Sequence, residues 1–136
     1  MIKSCVTIAL VPSIKSGPWV YWNDLEHAVR KAAALGFDAV ELFTASGSSV
    51  DVNYLRQLLD ANKLELAAVG TGAGKVLNGL TLTDSDEGKR REAVNFIKSI
   101  IDFGAAFGAP SIIGSMQGNI LNTRRSEDRK STRLNS

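Results

Sequence analysis

The chain opens with apolar residues at every second position. Val6, Ile8 and Leu10 alternate within residues 3–10 (KSCVTIAL), the period of a strand with one buried face. Pro12 and the Ser/Gly/Pro-rich stretch 13–18 end it. The period then changes to that of a helix. Leu25, Ala28, Val29, Ala32 and Ala33 fall at i, i+3, i+4, i+7 and i+8 and make one apolar face. Asn23 and Glu26 have the spacing of a capping box ahead of it, and Gly36 stands where a helix-ending glycine is expected. Residues 37–43 (FDAVELF) predict a second strand. Asp51 is placed to cap a second helix that buries Leu55, Leu58 and Leu59 and stops at Asn62. Residues 64–69 (LELAAV) predict a third strand, and residues 70–83 a long loop. Asp84 and Glu87 predict another capping box. The third helix carries Ala93, Ile97, Ile100 and Ile101 on one face, ends near Gly108, and cannot pass Pro110. A short fourth strand is expected at 111–114.

The order β-α-β-α-β-α-β implies a parallel sheet with right-handed crossovers. Two α/β architectures fit: an open doubly wound sheet, or part of a (β/α) barrel. Four strands use about 114 residues, and a complete eight-stranded barrel needs at least ~200. A barrel reading is therefore the first half of one.

Composition narrows the function classes. The chain has 136 residues, 44% hydrophobic and 22% charged, which suits one folded domain and argues against disorder. No apolar run approaches the ~18 residues of a membrane span, and no secretory signal is visible. Cys5 is the only cysteine, so an intramolecular disulfide or a multi-cysteine zinc site is excluded; a reducing, cytoplasmic setting fits. His27 is the only histidine, so no site needing two can form within the chain. The net charge of +2 is unevenly placed. Residues 121–136 hold five basic and two acidic residues, a net +3, which leaves −1 for residues 1–120. A basic tail suits nucleic acid or an anionic membrane. A simpler origin fits better: residues 128–136 back-translate as GAT CGG AAG AGC ACA CGT CTG AAC TCC, which resembles a common sequencing-library adapter. We therefore expect a domain over residues 1–122 and a non-native, disordered tail over 123–136, with the join within 123–127. No nucleic-acid or membrane partner is expected.

In both architectures ligands bind at the carboxyl ends of the strands, here residues 10–13, 41–44, 69–74 and 114–119. Glu41 stands inside an otherwise apolar strand, where a carboxylate must be paired, hydrated or functional. A structural acceptor across the barrel mouth and a direct ligand contact are equally good readings. Ser115, Gln117 and Asn119 alternate after the fourth strand and offer hydroxyl and amide groups suited to sugar hydroxyls, or else cap their own loop. Trp19, Tyr21 and Trp22 cluster after the first strand; aromatic faces suit the C–H face of a sugar, while Tyr21 reads better as packing. The run 70–75 (GTGAGK) invites a nucleotide-loop reading that fails in detail. Val69 stands where a phosphate loop has its first glycine, Val76 where it has Ser or Thr, and Lys75 where a dinucleotide fingerprint has its last glycine. Residues 76–83 read as loop, so no helix follows. A glycine loop that lets backbone approach a ligand near Thr71 is the better account. Asp38 and Glu65, at strand starts, read as solvated, and so does His27, off the apolar stripe of its helix.

Two stretches carry a family resemblance. Gly-Phe-Asp-Ala-Val-Glu-Leu at 36–42 resembles the second-strand motif of the xylose isomerase-like barrel proteins, often named sugar phosphate isomerases/epimerases. Ile-Asp-Phe-Gly-Ala-Ala-Phe-Gly-Ala-Pro-Ser-Ile-Ile-Gly at 101–114 resembles their passage from third helix to fourth strand. The resemblance covers roughly residues 3–120. It implies the amino-terminal half, about four βα units, of a (β/α)8 TIM barrel, truncated. It also implies a sugar or sugar phosphate as ligand and metal-assisted proton transfer beside a carbonyl, with Mn, Mg, Co or Zn in the full-length parent and no metal on this half. The family's acid–base glutamates and metal ligands come mainly from strands five to eight, so no catalytic residue and no metal ligand carries over. The substrate-binding candidates are Glu41, Trp22, Thr71, Ser115 and Gln117.

Two other classes remain open. An apurinic endonuclease-like metal nuclease of the same fold family is expected to show histidines at strand ends three and four and a basic face; here those ends are Gly70-Thr71 and Gly114-Ser115. A small open-sheet module that binds a ligand without catalysis predicts a compact monomer. The half-barrel predicts open edges, and with them an inactive chain that aggregates or pairs with a second copy.

Overall fold

The computed structural model describes residues 1–14, 16, 17 and 19–119. The boundary expected at 122 and the tail 123–136 lie outside the described residues. The elements are β1 (Cys5–Leu10), β2 (Tyr21–Trp22), α1 (Leu25–Ala34), β3 (Ala39–Thr44), α2 (Val52–Asn62), β4 (Glu65–Gly70), α3 (Ala73–Asn78), α4 (Glu87–Ala105), β5 (Ser111–Ile112) and a 3-10 turn at Gly114–Gln117. One sheet runs in the order β2-β1-β3-β4-β5, and every neighbouring pair is parallel.

Which way the helices lie separates the two architectures. Ile8, Val40, Leu42 and Val69 share one core with Ala28, Val29 and Ala32 of α1, Leu55, Leu58 and Leu59 of α2, and Ile100 and Phe103 of α4. All three long helices therefore cover the same side of the sheet. The strands also follow one another in chain order, apart from the short β2. A doubly wound sheet has helices on both sides and a reversal of strand order. This sheet has neither, so it is barrel-type, with a helix side and an inner side.

The helix side is closed by ordinary means. Each long helix starts on an aspartate that accepts from a backbone N–H of the first turn: Asp24 from His27 at 2.9 Å, Asp51 from Tyr54 at 2.7 Å, and Asp86 from Lys89 at 2.9 Å. Asp51 is the expected cap. The other two lie past the expected boxes at Asn23 and Asp84. Asn23 has a left-handed backbone (φ 58°), which leaves Asp24 in the extended cap position. Asp84 instead accepts from the backbone N–H of Asp86 and shapes the entry turn. The expected face of the last helix is also corrected. Ile101 is 47% exposed, and Phe103 takes the buried position.

Two elements were not expected. Tyr21–Trp22, where the sequence predicts loop, pairs with Ile8–Ala9 on the outer edge of β1. Residues 73–78, also predicted as loop, form α3. The glycines there make room for neighbours. A Cβ on Gly74 would lie 2.7 Å from Met116 Sδ and 2.8 Å from Phe96 Cδ1. Tertiary contact thus overrides low helix propensity. Met116, Leu80, Ala93 and Ile97 form a second small core beneath this corner.

Candidate functional site

Register fixes which side chains face inward. Val40 and Leu42 lie in the helix-side core, so Ala39, Glu41 and Phe43 face the other way. Their neighbours on β1 are Cys5, Thr7 and Ala9. On β4 they are Glu65, Ala68 and Gly70. The β3–β4 register shifts between Val40 and Glu41, which leaves Ala67 as an extra residue beside the carboxylate. Bulges of this kind re-aim side chains and cluster next to active sites. Glu41 is half-buried and accepts from Thr7 Oγ1 at 3.3 Å. Cys5 lies on the same face. Burial first, and the Glu41 charge second, push its thiol pKa up.

Above Glu41, at the carboxyl ends of the strands, Phe43 meets Trp19 with ring centroids 5.2 Å apart and planes tilted by 37°. Phe43 also lies against the glycine run. A Cβ on Gly72 would be 2.8 Å from Phe43 Cε2 and 3.5 Å from Ser115 Oγ. Gly72 is therefore required by the ring rather than by a phosphate. The sequence reading missed Phe43, which looked like one more apolar residue of its strand. The available signal was its i+2 spacing from Glu41, which puts both on one face.

The other candidates divide. Trp22 pairs with Ala9, so it stands on the inner side at the edge, 38% exposed. Tyr21 packs against the helix-side core, as its packing reading required. Ser115 is exposed beside Gly72. Gln117 does not alternate with it as in a strand. Gly114–Gln117 is a 3-10 turn, so residues two apart point away from each other. Thr71 is fully buried. Its hydroxyl lies 2.9 Å from the Ile112 carbonyl and 2.7 Å from that of Ile113, so it ties β4 to β5 instead of facing a ligand. Asn119 contributes its backbone carbonyl to Thr83 Oγ1 at 3.1 Å.

At the opposite end, the amino ends of the strands are clamped. Asp38 accepts from the Ser4 backbone N–H at 2.7 Å and from the Ser4 hydroxyl at 3.0 Å, and these bonds hold its carboxyl below the usual range. Glu65 pairs with Lys3 at 2.7 Å, which raises the lysine pKa. Asp38 and Glu65 are exposed, as expected, but both are partnered. His27 is exposed on α1.

The model of one family, the xylose isomerase-like TIM barrel, matches residues 29–135. The chain belongs to the xylose isomerase-like TIM barrel family. The match extends through residue 135, beyond the described residues and across the stretch read as foreign sequence. No curated protein matches the chain. Among solved structures it is similar to an AP endonuclease of family 2 from Brucella melitensis (16% identity, TM-score 0.54), covering 79% of this chain and 38% of that one. It is also similar to a D-psicose 3-epimerase solved in the presence of D-fructose (18%, TM-score 0.53), over 79% of this chain and 35% of that one. A third is the D-allulose 3-epimerase of Methylomonas sp. in complex with D-allulose (19%, TM-score 0.53), over 96% and 46%. At these identities the likeness is one of fold. The chain spans between about a third and a half of the length of these structures.

The described residues offer no donor set for the divalent metal that the family resemblance implies. No group of three or more His, Cys, Asp or Glu that could hold a metal occurs among the described residues. On its strand neighbours Glu41 meets Thr7 and Ala68, neither of which is a carboxylate or an imidazole. Two surface clefts lie elsewhere. One, of about 390 Å³, is lined by Leu82, Glu87, Arg90, Arg91 and Val94. The other, of about 210 Å³, includes Arg56, Glu65 and Phe107. Among the described residues, no helix is long and apolar enough to cross a membrane.

Proposed function

We propose that this chain forms the substrate-cradling wall of a sugar isomerase or epimerase that moves a proton beside a carbonyl. The observation that carries the reading is Glu41, set beside a bulge on the inner face of a strand whose next inner residue, Phe43, meets Trp19. The aromatic faces suit the apolar C–H face of a sugar, and the Glu41 carboxylate accepts from its hydroxyls. Ser115 adds a hydroxyl at the rim. No strand residue on this face is a cation, which favours neutral hydroxyls over a phosphate.

Proton transfer beside a carbonyl needs a base within hydrogen-bond reach and stabilisation of the developing oxyanion. Glu41 is one carboxylate and cannot supply both. In this reading Glu41 orients the sugar, and the acid–base pair and any divalent metal belong to residues other than those described. Family membership supports the fold, and the epimerases of like fold, one in complex with D-allulose, support the sugar class.

The test is a tryptophan-fluorescence titration of the full chain with D-allulose, D-fructose and D-fructose 6-phosphate. One wall alone predicts weak binding, with a Kd on the order of millimolar. The two free ketoses should bind more tightly than the phosphate, and both Trp19→Ala and Glu41→Gln should abolish binding. Binding that survives both substitutions would overturn the reading, and so would no binding of any of the three.

A further inference from the structure

Thr7 differs by one hydroxyl from the valine that its strand would accept equally well, since the two share a branched shape and suit a strand alike. That hydroxyl donates to Glu41 Oε1 at 3.3 Å, from directly opposite on the neighbouring strand. Among the described residues it makes the one hydrogen bond to the Glu41 side chain. Both groups are half-buried and within reach of water, so the bond adds little to the fold. What it supplies is a direction.

The two partners differ in stiffness. A glutamate side chain turns about several torsions, whereas a β-branched side chain is confined at its first. Thr7 therefore holds its hydroxyl where the strand puts it, and the carboxylate follows. On its other side Glu41 is paired with Ala68, whose methyl offers no hydrogen bond, and the bulge residue Ala67 beside it is exposed. Without the Thr7 hydroxyl the carboxylate is free to turn past Ala67 into water. An ionised carboxylate has two oxygens with several lone-pair sites, and Thr7 occupies one of them. The others stay available to the hydroxyls of a ligand.

We propose that Thr7 is a positioning residue for Glu41: its hydroxyl fixes one carboxylate oxygen so that the other is already aimed at a sugar hydroxyl. Preorganisation of this kind raises affinity because the ligand does not have to order the side chain itself. The sugar rests on the function proposed above, and the tie between Thr7 and Glu41 rests on geometry alone.

The experiment has one arm without sugar and one with it. Cys5 is exposed on the same face, and its thiol pKa is raised by burial first and by the Glu41 charge second. Its alkylation by iodoacetamide at fixed pH therefore reports where that charge sits. Rates are compared for full-length wild type, Thr7→Val, Thr7→Ser, Glu41→Gln and Thr7→Val/Glu41→Gln, with far-UV circular dichroism as the check on folding. Thr7→Val should speed alkylation by about twofold or more, toward the Glu41→Gln rate, as the freed carboxylate turns into water. Thr7→Ser, which keeps the hydroxyl, should keep the wild-type rate. Adding Thr7→Val to Glu41→Gln should change nothing, whereas a local effect of the valine on Cys5 would persist there. In the second arm, Thr7→Val should raise the Kd for D-allulose by about three- to tenfold, and Thr7→Ser should restore it. A wild-type alkylation rate in Thr7→Val would overturn the proposal, as would a Thr7→Val effect that survives in Glu41→Gln, or an unchanged Kd. If wild type binds no ketose, the sugar reading falls and the role of the tie in it falls too, while the first arm still decides whether Thr7 holds Glu41.

Discussion

The two sides of one sheet follow opposite rules. On the helix side, Ile8, Val40, Leu42 and Val69 are fully buried against three helices. On the inner side, the same strands present Thr7, Glu41 and small residues, with aromatic cover only at the carboxyl end. Neighbouring residues of β3 therefore belong to different problems: Leu42 holds the fold, and Glu41 is tied to it by one hydrogen bond from Thr7. A half-buried carboxylate beside a bulge is retained for something other than stability.

The contrast is broken most strongly at Leu42. Leu42→Ala should lower unfolding free energy by about 2–5 kcal/mol, read by chemical denaturation. Glu41→Leu, one residue away, should change it by less than about 1 kcal/mol while abolishing ketose binding. A similar loss at both positions would erase the distinction between the two sides.

Gly72→Ala comes next, at about 1–3 kcal/mol, because the new methyl meets the Phe43 ring. It should also move the Trp19 emission, since Trp19 rests on that ring. Asp51→Ala removes the α2 cap on the helix side and should cost about 1 kcal/mol with no effect on ketose binding.

The smallest effects are in pH dependence at the amino ends of the strands. The Asp38 carboxyl is held below its usual range by Ser4. Its contribution to stability is therefore complete above the ordinary carboxylate value of about 4 and is lost as pH falls through the lowered one. Asp38→Asn should flatten that part of the acid unfolding curve. Lys3 works in reverse: its contribution holds below the ordinary lysine value and is lost as pH rises through the raised one. On the inner face, Glu41→Gln should speed iodoacetamide alkylation of Cys5, because one of the two causes raising that thiol is removed.

Most of the fold was legible because long periodic segments carry their own evidence. The helix-side faces of α1 and α2, and the strands from Cys5 to Gly70, follow directly from periods of 3.6 and 2. The misses are short or glycine-rich. Tyr21–Trp22 spans two residues, too few for any period. Residues 73–78 form a helix against propensity because Met116 and Phe96 close over Gly74. The site was half legible. Glu41 stood out because a carboxylate in an apolar strand demands an explanation. Phe43 was hidden because its chemistry matches its strand, and only the tertiary approach of Trp19 and Gly72 separates it from core. Thr71 reads from sequence as a ligand contact because the carbonyls that take its hydroxyl lie some forty residues away.

The most direct test of the account is a map of backbone amide and indole shifts in the full chain on adding D-allulose. The account predicts perturbations at Glu41, Phe43, residues 70–72 and the Trp19 indole, with the Arg56–Phe107 cleft unmoved. Shifts confined to that cleft, or spread along α4, would contradict it.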